Sequence, residues 1–394
     1  MPRPTLAPPT TTSPTLGPTS RELARLVLVH GPISRAELGR RLDLSPASLT
    51  RLSKPFLERG LFVESAAEHG LTGRPTRPLD VRVDAARFAG VKVTGDAAFG
   101  VVTDLRSTPL ASAERALPGH APEEVVRLVA QLVRELVAVS DGASDAPLTG
   151  LGVSVGGNVE GGRVVTRAPF LGWRDVLLAD LLEGETGLPT TVENDVTALT
   201  TAEQWFGPAR DVSSFAVVTI GAGVGYGLVV ADRVIVTPDT GLGLGGHVPL
   251  DPDGPRCPDG HPGCSTAMLA APSIAASAGA ALGREITYDE VLRLAAAGDP
   301  AATAVTEASG RALGRLLGHI ANLALVDTIV LSGEGIGLWD VVGDVARERL
   351  DADRDPEATP VTLHVDDSGF VAWARGAAAT AIQAAVHTLR LPGT

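Results

Sequence analysis

The sequence predicts an α/β chain, a winged helix-turn-helix head followed by a larger body of two similar α/β lobes. Three observations carry that prediction. Short capped helices precede a glycine- and arginine-rich tip within the first 84 residues. From residue 88 the texture changes to short β runs punctuated by glycine, and one hairpin-like arrangement occurs twice. Charge divides along the same line. Residues 1–79 hold 11 Lys and Arg against 6 Asp and Glu, a net of +5, so the rest of a chain totalling −13 carries −18. A basic head on an acidic body implies that the head meets a polyanion and the body does not.

The 394 residues allow two or three domains, and 44% apolar content is ample for packed cores. No run of 18 apolar residues reads as a membrane span, so no membrane partner is expected. The N-terminus has no apolar h-region, and two cysteines in so long a chain without a secretory signal predict a reducing cytoplasm. Residues 1–18 are rich in Pro and Thr without periodicity and are expected to be a disordered tail.

In the head, Leu23, Leu26, Val27 and Val29 give a first helix its apolar stripe, and Gly31-Pro32 stops it. Ser34-x-x-Glu37 is a capping box that opens a second helix, with Leu38 and Leu42 facing inward. Ser45 caps a third helix with Pro46 in its first turn. Leu49, Leu52 and Phe56 share its inner face, while Ala47, Ser48, Thr50 and Arg51 lie opposite. Small and hydrogen-bonding residues in the first turns let such a helix approach base edges, which makes Ser45, Ala47, Ser48, Thr50 and Arg51 candidate DNA contacts. Pro55 is expected to kink this helix or divide it. Leu61-Phe62-Val63 and Leu79 to Val81 read as wing strands around a tip whose Gly73-Arg74-Pro75 core can place Arg74 in a minor groove, with Arg77 beside it.

In the body, Gly90 to Val93 with Phe99 to Val102 reads as a hairpin, and Phe215 to Ile220 with Gly225 to Val230 repeats it. Pro122 opens a helix whose Val125, Val126, Val129, Leu132, Val133 and Leu136 keep helical spacing. Leu151 to Val155 is a buried strand ending in Gly156-Gly157-Asn158, and Val192-Glu193-Asn194-Asp195 follows at the mouth of the same cleft. The only two cysteines stand in the run His247-x9-Cys257-x-Asp259-Gly260-x-x-Gly263-Cys264, behind the glycine-rich stretch 241–246. Thiolate plus imidazole suits Zn²⁺, and glycines let a short loop curl around an ion. Two buried apolar thiols, a disulfide, or a loop that folds without metal are the alternatives.

Several strings together resemble the ROK family (repressors, open reading frames and sugar kinases). They are 153–157 (VSVGG), 171–175 (LGWRD), Glu193-Asn194-Asp195, Ala202-Glu203, 219–227 (TIGAGVGYG), Gly246-His247 and Arg375-Gly376-Ala377. The resemblance runs from residue 20 to about 390. It implies an actin-like (ribonuclease H-like) fold of two lobes around a sugar cleft. The implied division is a tail 1–18, a winged helix-turn-helix 19–84, a first lobe 85–205 completed by the C-terminal helix 378–394, and a second lobe 206–377. Against the family's metal pattern of GExGH then CxCGxxGCxE, this chain has Leu244, Asp259 and Thr266 in place of Glu, Cys and Glu. The ligand set implied for a structural Zn²⁺ is His247, Cys257, Cys264 and Asp259, with His261 as the alternative fourth ligand. Asn194, Asp195, His247 and the Gly157 backbone match family sugar contacts, and with Asn158 they are the candidate effector-binding residues.

The family's sugar kinases place DxGGTK at the start of the first lobe. Here the stretch is Lys92-Val93-Thr94-Gly95-Asp96-Ala97, without the metal-binding acid and with one glycine where two should let a phosphate approach. No ATP and no phosphoryl transfer are therefore expected. The expectation is a DNA-binding transcriptional regulator, a repressor that binds a double-stranded operator as a homo-oligomer, dimer or tetramer. A small sugar or sugar-derived effector would control it. The alternative is a sugar kinase with an appended DNA-binding domain.

Overall fold

A computed structural model describes residues 17–65, 77–142 and 144–388. The proposed tail up to residue 16 and the wing tip with Arg74 lie outside these residues. Helix α1 (Pro18–His30) buries Leu23, Leu26, Val27 and Val29 and ends at Gly31. Helix α2 (Arg35–Leu42) is capped by Ser34, whose hydroxyl accepts from the Glu37 N–H at 3.1 Å. Only this half of the capping box forms. The Glu37 carboxylate instead pairs with Arg40 and Arg41 one turn on, because two guanidinium groups outcompete one amide for it.

Helix α3 (Pro46–Glu58) starts on the Ser45 hydroxyl, as expected. It runs through Pro55 undivided, so of the kink or break expected there the break does not occur. Tertiary packing offsets the missing amide: Phe56 is buried, stacks on Phe62 with ring centroids 4.6 Å apart, and accepts the Leu61 N–H. Strands β1 (Phe62–Glu64) and β2 (Leu79–Val81) pair antiparallel, with Ile33 bridging to Leu79.

The first lobe is a five-stranded sheet. Strands β3 (Arg87–Val93), β4 (Ala97–Thr103) and β5 (Pro109–Ala116) form an antiparallel meander. Helix α4 (Pro122–Ser140) then leads to β6 (Leu148–Val155), parallel to β3. A small sheet follows, β7 (Asn158–Glu160), β8 (Val164–Ala168) and β9 (Trp173–Val176), and then α5 (Leu178–Thr186). Strand β10 (Thr190–Asn194) pairs parallel to β6, and α6 (Asp195–Phe206) leaves its end.

The second lobe repeats this plan. Strands β11 (Phe215–Ile220), β12 (Val224–Val230) and β13 (Arg233–Val234) form the meander. The long loop and α7 (Ser265–Leu269), α8 (Ala271–Leu282), α9 (Tyr288–Ala296) and α10 (Pro300–Ala324) precede β14 (Thr328–Ser332), which is parallel to β11. Helix α11 (Leu338–Ala352) leads to β15 (Thr362–Val365), parallel to β14. The strand orders β10-β6-β3-β4-β5 and β15-β14-β11-β12-β13 are the same order, so the duplication read in the sequence is present in the topology. Helix α12 (Phe370–Thr388) returns to pack on the first sheet and on α6.

The head is not tethered loosely. Its core continues into the body through Trp205 at the end of α6 and Ile382, Ala385 and Val386 of α12. Arg106, in the turn after β4, reaches across and donates to the Leu28 and Gly31 carbonyls and to Asp80 of the wing. His30 at the end of α1 meets Asp211 at 3.0 Å.

Candidate functional site

The third helix of the head presents the predicted residues outward. Ser45, Ala47, Thr50 and Arg51 are exposed and Ser48 is half-buried. Local bonds orient the small ones: Ser45 and Ser48 share a hydroxyl contact of 3.1 Å, and the Thr50 hydroxyl donates to the Pro46 carbonyl at 2.9 Å. Arg51 makes no ion pair among the described residues and is free to reach a partner. Arg77, at the base of the wing, is 67% exposed, with its guanidinium 3.5 Å from Glu64. Arg35 braces the same point, donating to Glu64 at 2.7 Å and to the Arg77 carbonyl at 2.9 Å. The hydrogen bond from Arg35 is the main cause holding the Glu64 carboxyl below its ordinary pKa.

In the body, Asn194 and Asp195 sit where β10 turns into α6. Asn194 is the N-cap: its carbonyl oxygen accepts from Thr197 N–H at 3.1 Å, and its amide donates to the Gly157 carbonyl at 2.9 Å. Asp195 opens the helix, where the macrodipole favours an anion. Its Oδ1 accepts from Val196 N–H at 2.9 Å and Asn194 Nδ2 at 3.1 Å. Its Oδ2 is bonded by Lys92, reaching over from β3. Lys92 is 6% exposed, and its ammonium lies 5.1 Å from the centre of the Trp373 ring. The two predicted residues are thus brought together with Gly157, and Lys92 is added as the cation on Asp195. A lysine inside the apolar run Phe88 to Val93 was the signal for it.

Asn158 does something more specific than line the cleft. Its amide donates to the Thr240 carbonyl and, at 3.4 Å, to that of Pro238, in the long loop of the second lobe. Beside it Gly241 has φ +87°, and a Cβ there would stand 2.1 Å from the Gly157 carbonyl oxygen. The lobes therefore touch across the Gly157–Asn158 turn, and only glycine permits that approach at 241. Phe170, 61% exposed, stands beside Gly95 and Gly156.

His247 lies in the second-lobe loop and converges on the thiols. Its Nδ1 is 3.8 Å from both Cys257 Sγ and Cys264 Sγ. Zn–S near 2.3 Å and Zn–N near 2.0 Å put neighbouring tetrahedral ligand atoms about 3.5–3.8 Å apart, so this donor set can hold a metal ion. Both thiols are free and buried, which removes the disulfide alternative. Asp259 touches the other face of the imidazole, at Nε2 and 3.4 Å, while His261 Nδ1 is 3.6 Å from Cys257 Sγ. Burial pushes the Cys264 thiol up. At Cys257 burial acts in the same direction, but bonds from His261 and the Asp259 backbone outweigh it and hold the thiol below its ordinary value. Arg256–Pro262 and Pro249–Cys264 bridges tie the loop.

The description "ROK family" fits residues 88–384. The chain is 28% identical over 344 residues to the DNA-binding transcriptional repressor Mlc of Escherichia coli, covering 82% of this chain and 84% of that one. A ROK family transcriptional regulator described as a homolog of the E. coli protein superposes with a TM-score of 0.77 at 22% identity, over 94% of this chain and 98% of that chain. A ROK hexokinase from Thermus thermophilus superposes with a TM-score of 0.61 at 27% identity, over 97% of its own length but 75% of this chain.

Proposed function

The chain belongs to the ROK family, and on that premise we propose that it is a transcriptional repressor whose operator binding is set by a small sugar or sugar derivative in the interlobe cleft. The likeness to Mlc over 82% of this chain supports the reading. The observation that carries it is the path of α6. Its first residue, Asp195, is one of the proposed effector contacts, and its last turn, Trp205 and Phe206, packs against the head. One helix therefore links the proposed effector residues to the DNA-reading unit. An effector that binds one state of the lobes more tightly shifts α6 and the placement of α3 on DNA.

DNA contact falls to Ser45, Ala47, Ser48, Thr50 and Arg51 on α3, and to Arg74 and Arg77 on the wing. Two such heads in a homo-oligomer would read an inverted repeat. The cleft offers both polarities: Lys92 as donor and Asp195 as acceptor suit a vicinal diol. Asn194 and Gly157 frame this pair, and Asn158 closes over it from the lobe contact. His247, Cys257 and Cys264 would hold Zn²⁺ as a structural ion that fixes the second-lobe loop. We assign the fourth position to His261, which faces Cys257, although it lies outside the convergent set of three, and give Asp259, on the far side of the imidazole, the role of orienting the ring. With both imidazole nitrogens so engaged, His247 acts on the effector by supporting the loop.

A sugar kinase with an appended head is the competing reading. Lys92 argues against it, because an ammonium sits on the Asp195 oxygen that would take the sugar proton, whereas accepting a hydroxyl hydrogen bond needs only a remaining lone pair. The test is release from a selected operator, followed by fluorescence anisotropy, across a panel of neutral sugars, sugar acids and sugar phosphates. At least one is expected to weaken operator binding in wild-type protein and not in the double variant Lys92→Met with Asp195→Asn, which leaves no buried charge unpaired and still binds the operator. Coupled ADP release with the same panel and Mg·ATP is expected to stay at background. Turnover above background would favour the kinase.

A further inference from the structure

The duplicated sheets give each lobe an equivalent hairpin turn, Thr94–Asp96 between β3 and β4 and Gly221–Gly223 between β11 and β12. Backbone amides in such glycine-containing turns are ready seats for anions. Both turns are closed from within, by different groups. In the first lobe the Thr94 hydroxyl accepts from Asp96 N–H at 3.3 Å and Ala97 N–H at 3.0 Å. In the second, Glu334 Oε1 accepts from Ala222 N–H at 2.7 Å.

Glu334 is set there by backbone geometry. It stands between Gly333 and Gly335 after β14, and Gly335 N–H donates to the Ile220 carbonyl at 2.8 Å, which pins the segment on the β11 end. The carboxylate lies flat on Gly221: a Cβ at that glycine would be 2.0 Å from Oε1 and 2.1 Å from the carboxyl carbon. Glu334 is exposed and has no cation partner among the described residues. Packing does not require an acid there, and no ion pair explains it. What remains is an anion resting on an amide of a glycine turn.

We propose that Glu334 is an internal anion that occupies the phosphate seat of the second lobe and so excludes polyphosphate ligands from this cleft. The inference rests on the non-enzymatic reading above and gives it a residue. The carboxylate takes the amide that a phosphate oxygen would use, and its charge repels a second anion. Removing it leaves Ala222 N–H and the open face of Gly221 to a phosphate.

The experiment is calorimetric titration of the full chain with sodium tripolyphosphate and, separately, Mg·ATP at low ionic strength. Wild-type protein, Glu334→Gly and Glu334→Gln are compared. Wild type is expected to give no saturable binding at millimolar ligand. Glu334→Gly is expected to bind both ligands at least ten-fold tighter than wild type. Glu334→Gln keeps the shape and loses the charge, and should fall between the two. Tripolyphosphate binding without added benefit from ATP would place the gain at the phosphate seat alone. Equal behaviour of all three proteins overturns the proposal and leaves the repressor reading intact. Tight Mg·ATP binding by wild type, with sugar-dependent ADP release, overturns both.

Discussion

The Lys92 ammonium is bonded to the Asp195 carboxylate, joining β3 to the first residue of α6 in a pair whose side chains are 7% and 15% exposed. Charges this far from water stabilise only as a pair. The bond also fixes the start of the helix that ends against the head, so it belongs to folding and to signalling at once.

Breaking that pair from the cation side leaves a buried carboxylate with only the Asn194 and Val196 donors. Lys92→Met is expected to cost about 3 kcal/mol, in the range for an orphaned buried partner. Adding Asp195→Asn to Lys92→Met should recover most of the loss, because the charge left behind is then removed. Urea unfolding of the two single variants and the double variant at pH 7 checks this. Additive losses would mean that the residues do not act as a pair.

Metal removal has a local signature. Purified protein is expected to carry about one zinc per chain, lost in Cys257→Ser and Cys264→Ser. His261→Ala should lower zinc affinity more than Asp259→Ala, since His261 faces the thiol and Asp259 the back of the ring. Competition with a chromophoric chelator measures the order. The reverse order would return Asp259 to the first coordination sphere.

Glu203 on α6 supplies the pH dependence. Burial, with Asp366 nearby and Arg375 only partly opposing, raises its carboxyl to about 7. The folded state therefore holds a proton that the unfolded chain, near the ordinary value of 4.5, gives up. The stabilisation is present below pH 4.5 and is lost as pH rises through 7. Glu203→Gln, a fixed copy of the protonated form, should gain on wild type across that window by up to about 3 kcal/mol, then hold the difference at higher pH. Melting curves from pH 5 to 8.5 test it, and a difference that shrinks as pH rises would contradict the sign.

Much of this was legible in the chain. Capping at Ser34 and Ser45, the α4 stripe and both hairpins follow from local rules acting over a few residues. The repeated strand order followed from the repeated pattern. What could not be read were contacts set by tertiary packing. Phe56 stacking keeps α3 whole through Pro55, although the residue alone argues for a break. Arg106 lies in a turn of no recognisable pattern, yet it clamps the end of α1, 75 positions away in sequence, to Asp80 of the wing, 26 positions away. Asn158 was placed in the cleft by its neighbours, but its partner is a carbonyl of the opposite lobe. Glu334 carried no sequence signal, because its role depends on where β14 ends relative to β11.

The central claim is sequence-specific DNA binding through α3, and one equilibrium measurement tests it most directly. Duplexes enriched from a random pool by the wild-type protein are titrated by fluorescence anisotropy against scrambled duplexes of equal length, at matched near-physiological salt, with Arg51→Ala alongside. Wild type is predicted to prefer the enriched duplex by about 10³-fold or more, the usual lower bound for a specific regulator. Arg51→Ala is predicted to lose about 1–3 kcal/mol on the enriched duplex and little on the scrambled one, since a base-edge contact discriminates where a phosphate contact does not. Equal affinity of wild type for both duplexes, or an Arg51→Ala variant as selective as wild type, would contradict the account.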